Sequence, residues 1–511
     1  MEIKYNCVYD LFADSASNHY KKTALYCQNE KLRYDDLLSF VNRVAAFMQK
    51  FGIKKGDKVG IFMENSWEYI VAVYAILATG AIVVPIDCRV KSKELSFILD
   101  DSNIVFLFSS DSLRNIVAKS IAIHRCKAIV WVGNGTRGIR FRQTIKEDLE
   151  FKRVDLSLED EAFIFYTSGT QGKPKGAILT NKNVLTSLLL VKNHINLREQ
   201  DRVILFLSLD HSFVLLFITI LPLSFGASIV LHKYSGCDDL LKEITLKRVT
   251  ILFSVPLIYN QLVNAEINWL IETFNKLRLL VCGGSAIDKN IAIALNNKFN
   301  KAKFIEGYGL TESSAIVSAN PLNKPKFGSV GVPLNGVKVK IVDSYDVELP
   351  SRSIGEIIVS GDNVMKCYIN IKTLDECRVK NGWLYTGDLG YLDEDGYLYI
   401  VDRKKDLIIS KEGHIYPREV EEIINNFEGV KESAVVGKEL NDGYEEPVAF
   451  LVQSSQNLIN IDNLKNYLKG FLANYKIPKE YIVIEELPRN SRGKILKREL
   501  KQMLKKQSGR V

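Results

Sequence analysis

The sequence predicts an α/β protein on largely parallel sheets, continued by a β-rich stretch and a small α+β unit. Three observations carry this. Helical stretches alternate with short β-rich runs over most of the chain; Gly, Val and Pro become frequent after about Pro325; and a strand, helix, strands, helix, strand order follows from about Lys404.

In order, LRYDDLLSFVNRVAAFMQKF has the apolar spacing of an amphipathic helix, KVGIFM reads as a strand, EYIVAVYAILATG as a helix and AIVVPID as a strand. The alternation returns at VILFLS, SIVLH, VTILFSV, LRLLVCGG and FIEGYG. The run Ser212 to Val230, SFVLLFITILPLSFGASIV, is uncharged and about long enough to cross a bilayer. Pro222, Ser224 and Gly226 inside it, and Asp210 and His211 before it, favour a buried helix leading into a core strand, so no transmembrane segment is expected. FGSVGVPLNGVKVKIVD, GEIIVSGDNVM and GYLYIVDRKKD suggest a β-rich subdomain over about residues 325–402. PREVEEIINNF and IDNLKNYLKGFL then read as helices, and KESAVVGKE, PVAFLVQ and EYIVIEEL as strands, a unit large enough to stand alone.

With 511 residues, 47% of them hydrophobic, the chain can build several cores, and about three units follow from a prior of roughly 150 residues each. The net charge of +8 is spread out, thickening at LKRELKQMLKKQ. Without an aromatic or arginine-rich pattern, this reads as a solvated basic tail and not a nucleic-acid arm. The eight cysteines show no CxxC spacing, which argues against a zinc site or a disulfide framework and fits a reducing cytoplasm. MEIKYNCVYDLFADS lacks the apolar core of an export signal, so a cytoplasmic location is expected.

The segment richest in chemistry is YTSGTQGKPKG, residues 166–176. A Walker loop needs Gly, four residues, Gly, Lys and Ser or Thr, and Gly169, Gly172 and Gly176 do not provide that spacing. What remains is a strand, FIFYT, opening into a loop with Ser168, Gly169, Thr170, Gly172, Lys173 and Lys175, then a helix with Asn181 as its expected cap. Freed backbone N–H groups, hydroxyls and ammonium groups suit a triphosphate. A Gly- and Lys-rich surface turn is the other reading of the loop taken alone.

Further segments narrow the choice. GYGLTE, residues 307–312, sets an aromatic ring, a close backbone approach, a hydroxyl and a carboxylate in six residues after the strand KFIE. YTGDLG places Asp388 in a tight turn after WLY, where a carboxylate chelates vicinal ribose hydroxyls or caps the turn. VDRKKDLI carries Arg403, and NSRGKILKREL carries Lys494.

With these segments in this order, nearly the whole chain resembles the adenylate-forming superfamily of acyl-CoA synthetases, aryl-CoA ligases, beetle luciferases and amino-acid adenylation domains. The resemblance implies a two-domain fold: a large N-terminal AMP-binding region over 1–402, of two α/β subdomains and a small β-barrel, and a mobile α+β C-terminal domain over 403–511. It implies ATP-dependent activation of a carboxylic acid to an acyl-AMP with release of pyrophosphate, then transfer to a thiol, with ATP, Mg²⁺ and CoA as partners.

By the same resemblance, Thr167, Ser168, Gly169, Thr170, Gln171, Gly172, Lys173 and Lys175 cradle the phosphates. Gln171 stands where relatives commonly place threonine. Glu306, Gly307, Tyr308 and Gly309 lie along the nucleotide, with Tyr308 flanking the adenine; Thr311 touches phosphate and Glu312 holds Mg²⁺. Asp388 and Arg403 grip the ribose, Lys494 bridges carboxylate and α-phosphate, and Lys405 occupies the hinge. His211 matches the gate of the acyl pocket, with Ser212, Val214, Gly283, Gly284 and Ser285 around the substrate. Ser212 replaces the aspartate of amino-acid-activating relatives, which disfavours an α-amino acid because a buried ammonium without a partner is expensive. Val214 replaces a glycine of fatty-acid relatives, leaving a fatty or an aryl acid open. Lys411, Glu412 and Gly413 match the thiol-acceptor loop, but an ungapped match puts Glu412 at the expected glycine. Either the loop is shifted by one, or the acceptor is the phosphopantetheine of a separate carrier protein. A non-catalytic binding protein is disfavoured by the joint presence of Glu312, Asp388, Arg403 and Lys494.

Overall fold

The structure, a computed structural model, describes residues 3–27, 30–167, 174–266, 276–371, 377–440, 443–454, 458–489 and 495–508. The chain packs as two units, Met1–Val339 with Ile358–Tyr385, and Lys340–Ile357 with Thr386–Val511. The expected boundary at 402/403 falls inside the second.

Two sheets organise the first unit. One has eight strands, in the order Cys367–Tyr368, Lys175–Thr180, Glu161–Thr167, Ile82–Pro85, Lys58–Phe62, Ile104–Ser110, Ala128–Val132 and Ile139–Arg140. The last six run parallel. The other has nine strands, and its central run of Ser228–Leu231, Arg202–Leu205, Ile251–Ser254, Leu279–Cys282 and Lys303–Tyr308 is parallel throughout. Strands buried on both faces need near-continuous apolar runs. This is why ILFS, LLVC and SIVL carry so little alternation. Helices supply the covering layer: Leu240, Leu241, Ile244, Tyr259 and Leu262 pack on Val230, Leu252, Leu280 and Phe304. Leu95, Ile98 and Leu99 do the same for Val84, Leu107 and Ile164.

The expected helices and strands of this unit form, with two corrections around the glycine-rich loop. The chain does not pass from that loop straight into a helix: Lys175–Thr180 is a strand, antiparallel to Glu161–Thr167. The cap of the helix Asn181–His194 is Thr180, not Asn181, because the strand runs into the helix without a turn and its last residue takes the capping position. The Asn181 side chain is used elsewhere: it accepts from Val8 N at 3.2 Å and donates to Ser157 O at 3.2 Å.

The uncharged run after His211 is buried, as expected. It forms a wide-turn π-type helix, Val214–Ile220, continues as Leu221–Ser224 and leads into the strand Ser228–Leu231. Among the described residues no helix is long and apolar enough to cross a membrane.

In the second unit, Val430–Glu439 and Glu445–Gln453 pair antiparallel and Glu480–Ile484 joins in parallel. One face of this sheet meets Val420, Ile424, Leu464 and Leu468 through Val435, Ala449 and Leu451. The other meets Leu500 and Leu504 through Ala434, Val436 and Phe450. The basic C-terminal run is therefore no fully solvated tail. Lys497–Ser508 is amphipathic, and its leucines complete the second core. At its start, the Lys497 ammonium lies 2.7 Å from Glu421. Burial alone would lower its pKa, but Glu421 and Asp402 more than offset that and raise it.

Candidate active site

The candidate residues of the first unit sit at the carboxyl ends of parallel strands, where α/β sheets present their ligand sites. Lys303–Tyr308 delivers Glu306, Gly307 and Tyr308. Glu306 is buried, faces Cys282 in register and accepts a bond from Ile287 N at 3.3 Å. Burial, with the Glu306 carboxylate nearby, pushes the Cys282 thiol well above its ordinary range.

After Tyr308 the chain folds back on itself. Val317 N donates to Tyr308 O at 2.8 Å, while Ser314 and Ala315 adopt φ of 50° and 66°. A Cβ on Gly309 would lie 2.3 Å from Ala315 O, so no side chain fits there. That tight return sets Thr311, Glu312 and Ser313 in a single 3₁₀ turn.

Glu312 is 7% exposed. Its Oε1 accepts a hydrogen bond from the Tyr368 hydroxyl at 2.6 Å, and its carbonyl accepts one from Met365 N at 2.8 Å. Tyr368 pairs with Ala177, and the Lys175 ammonium lies 5.4 Å from the centre of its ring. Burial first, then the Glu312 charge, raises the Tyr368 phenol far above its ordinary value, so it remains a donor at neutral pH. Asn363 holds the turn from outside, donating to Ser313 O at 3.1 Å and to Ile316 O at 2.7 Å. Asn183, in turn, donates to Asp362 O at 2.9 Å and Val364 O at 2.7 Å. The sequence does not point to Tyr368, Asn363 or Asn183. Spacing gives no signal for them, since each acts across a long stretch of chain.

Thr167 and Lys175 are in register at the mouth of the glycine-rich loop, with Thr167 Oγ1 donating to Lys175 O at 3.4 Å. Ser168, Gly169, Thr170, Gln171, Gly172 and Lys173 lie outside the described residues, as does Lys494.

The expected acyl-side residues meet the nucleotide-side ones directly: Ser212, 2% exposed, has its Oγ 3.1 Å from Thr311 Oγ1. His211 Nδ1 accepts from Phe213 N at 3.2 Å. The Phe213 ring turns toward Gly283, where a Cβ would lie 3.1 Å from it, and Val214 is buried beside it. Gly284 has a φ of 84°, and both it and Ser285 are exposed.

The second unit carries Asp388, Arg403, Lys405 and the loop at Lys411. Asp388 is not in a tight turn. It sits within the strand Trp383–Leu392, directly opposite Arg403. Gly387 takes a φ of 72° without ending the strand, because its N–H finds Glu356 Oε1 at 3.1 Å. Arg403 Nε lies 2.9 Å from Asp388 Oδ1, and Asp388 N donates to Thr386 Oγ1 at 3.1 Å. Lys405 lies in the 3₁₀ turn Lys404–Asp406. Lys411 and Glu412 form the exposed tip of the hairpin Ile408–Ser410 and Gly413–Ile415. Gly413, with φ 145°, takes the backbone conformation that excludes side chains.

These donors fit a metal-bound nucleotide. Mg²⁺ favours oxygen ligands and is held by one or two carboxylates together with substrate phosphates. Glu312 is a buried carboxylate that could serve in this way, and no cluster of three or more His, Cys, Asp or Glu residues able to form a complete metal cage occurs among the described residues. Lys175, Thr167 and Thr311 add a cation and hydroxyls on the same unit.

Residues 12–369 match the AMP-binding enzyme model and residues 419–494 the AMP-binding enzyme C-terminal domain. The chain is 32% identical over 488 residues to 2-succinylbenzoate–CoA ligase of Bacillus cereus, covering 94% of this chain and 96% of that one. It is 31% identical over 533 residues to long-chain-fatty-acid–CoA ligase of Salmonella typhimurium, covering 98% and 94%. O-succinylbenzoate coenzyme A synthetase from Bacillus subtilis, solved with ATP and magnesium ion, superposes with a TM-score of 0.84 at 30% identity, covering 96% and 99%. Matched along nearly its whole length in sequence and fold, the chain belongs to the AMP-binding enzyme family.

Proposed function

We propose that the protein is an acid–thiol ligase that activates a fatty or aryl carboxylic acid with ATP and passes the acyl group to CoA. A carboxylate is a poor acyl donor because its oxide does not leave. Attack of a carboxylate oxygen on the α-phosphorus forms a new P–O bond and expels pyrophosphate. The thiol, losing its proton, then attacks the acyl carbon and AMP leaves. Both steps depend on holding reactants in line and offsetting phosphate charge.

In this reading Thr167 to Lys175 and Thr311 contact the phosphates, and Tyr308 flanks the adenine within the segment Glu306 to Gly309. Asp388 and Arg403 hold the ribose. Glu312 binds Mg²⁺, which would neutralise phosphate charge. Lys494 bridges the carboxylate and α-phosphate. His211, Ser212, Val214, Gly283, Gly284 and Ser285 border the acid. Lys405 is the hinge between 1–402 and 403–511, and Lys411 to Gly413 guide the thiol, with Gly413 serving as the expected glycine one position late.

The observation that carries the proposal is the 3.1 Å contact between Ser212 and Thr311, which supports placing the acid beside the nucleotide. Ser212 also offers no charge to a substrate ammonium, which favours acids without an α-amino group. The CoA ligases among the relatives favour CoA over a carrier protein.

Pyrophosphate release with fatty, aryl and amino acids, repeated with CoA and with a carrier protein, tests the reading. Release with fatty or aryl acids and acyl transfer to CoA are expected; no ATP-dependent AMP formation with any acid refutes it. Lys494→Ala should lose about a hundredfold or more in ATP–pyrophosphate exchange. Near-normal exchange would remove Lys494 from the mechanism.

A further inference from the structure

We propose that Tyr368 is a positioning residue that fixes the orientation of the Glu312 carboxylate, and thereby the strength with which the protein holds metal-bound, as opposed to metal-free, ATP. The inference rests on Glu312 being the Mg²⁺ ligand.

The geometry assigns the role to Tyr368 because its hydroxyl meets Oε1 of Glu312 at 2.6 Å in a buried setting. A buried carboxylate with one oxygen held by a short bond has little rotational freedom. The remaining oxygen then has a fixed direction before any metal arrives. Outer groups that orient metal ligands in this way typically control about ten- to a hundredfold of metal affinity.

Three further contacts make the hydroxyl a deliberate anchor and not a passing neighbour. The backbone of the same segment holds Glu312 a second time, through Met365 N to Glu312 O at 2.8 Å. Asn183 fixes the start of that segment by binding the carbonyls of Asp362 and Val364. The strand pairing of Tyr368 with Ala177 fixes its end. The strap 362–368 is thus tied at both ends to the elements around the glycine-rich loop, with Tyr368 reaching from it to Glu312. The same ring lies beneath the Lys175 ammonium, at 5.4 Å, so one side chain touches both the proposed metal ligand and the last lysine of the phosphate loop.

Tyr368→Phe separates these two contacts, keeping the ring beside Lys175 and the strand pairing while losing only the hydroxyl. Equilibrium binding should be measured by calorimetry with Mg·ATP and with ATP in excess chelator, on wild type, Tyr368→Phe and Glu312→Gln. The expected result for Tyr368→Phe is Mg·ATP binding weakened about tenfold, with metal-free ATP binding and melting temperature little changed. The Mg²⁺ concentration for half-maximal pyrophosphate exchange should rise in parallel.

Equal weakening of both forms of ATP, or no change in either, overturns the role of Tyr368. The Glu312→Gln arm separates the two levels of the reading. If it loses the preference for Mg·ATP and Tyr368→Phe does not, only the Tyr368 inference fails. If Glu312→Gln keeps that preference, the metal assignment itself is wrong.

Discussion

Asp201 shows how one residue's chemistry decides local stability. It precedes the strand Arg202–Leu205, and its carboxylate accepts from Arg278 Nε at 2.8 Å, Thr250 Oγ1 at 2.8 Å and Arg198 N at 2.8 Å. Burial works to raise its pKa, but the bonds from Arg278, Arg198 and Thr250 more than offset this and hold it below the ordinary 3.8. A carboxyl whose folded pKa is depressed contributes stability that is full above its unfolded pKa and is lost as pH falls through the folded one. Asp201→Asn should therefore cost about 3 kcal/mol near neutral pH, the scale of breaking a buried ion pair. The gap in melting temperature from wild type should shrink as pH is lowered below 3.8. A gap unchanged down to acid pH would show that the charge of Asp201 is not what stabilises. Nothing in QDRVIL announced this arrangement, because Arg278 arrives from just before another strand, Leu279–Cys282.

At the level of elements, the junction between Lys175–Thr180 and Asn181–His194 has the largest consequence for the site. Thr180 Oγ1 accepts from Asn183 N at 3.3 Å, and Asn183 Oδ1 accepts from Thr180 N at 2.8 Å. The same Asn183 uses its amide N–H groups on the strap that reaches Glu312. Thr180→Ala should cost about 1 kcal/mol in urea unfolding, the usual loss at a helix cap, and Thr180→Ser should restore most of it. Equal destabilisation by both would point to packing of the threonine methyl. Strand and helix were each legible here, but the cap was not: Thr180 and Asn181 are both good capping residues, and only the absence of a turn between the elements selects the first. Likewise the apolar run after His211 announced a buried helix, while its π-type winding depends on how Val214 to Ile220 pack, which hydrophobicity alone does not encode.

For the whole molecule, the proposed reaction has two steps, with Lys405 as the proposed pivot between them. Proline at Lys405 fixes φ and removes an N–H, stiffening the turn Lys404–Asp406. Lys405→Pro should leave ATP–pyrophosphate exchange largely intact and block thioester formation, measured as acyl-CoA produced from acid, ATP and CoA. Equal loss of both steps would reject the hinge. At this scale the alternation of helices and strands foretold the layered sheets, and the glycine spacing of YTSGTQGKPKG excluded a Walker loop.

Fold class and most elements were legible along the chain, because periodicity and turn residues are local properties, and the class of chemistry followed from the resemblance that the ordered motifs carry. What each group touches emerged only from the folded chain. Tyr368 meets Glu312 across 56 residues, and Ser212 meets Thr311 across 99. Asp388 belongs to a strand because Arg403 pairs opposite it, and the basic C-terminal run becomes core because Leu500 and Leu504 find an open sheet face. Such contacts are set by how the layers close on one another, and a local pattern carries no record of that.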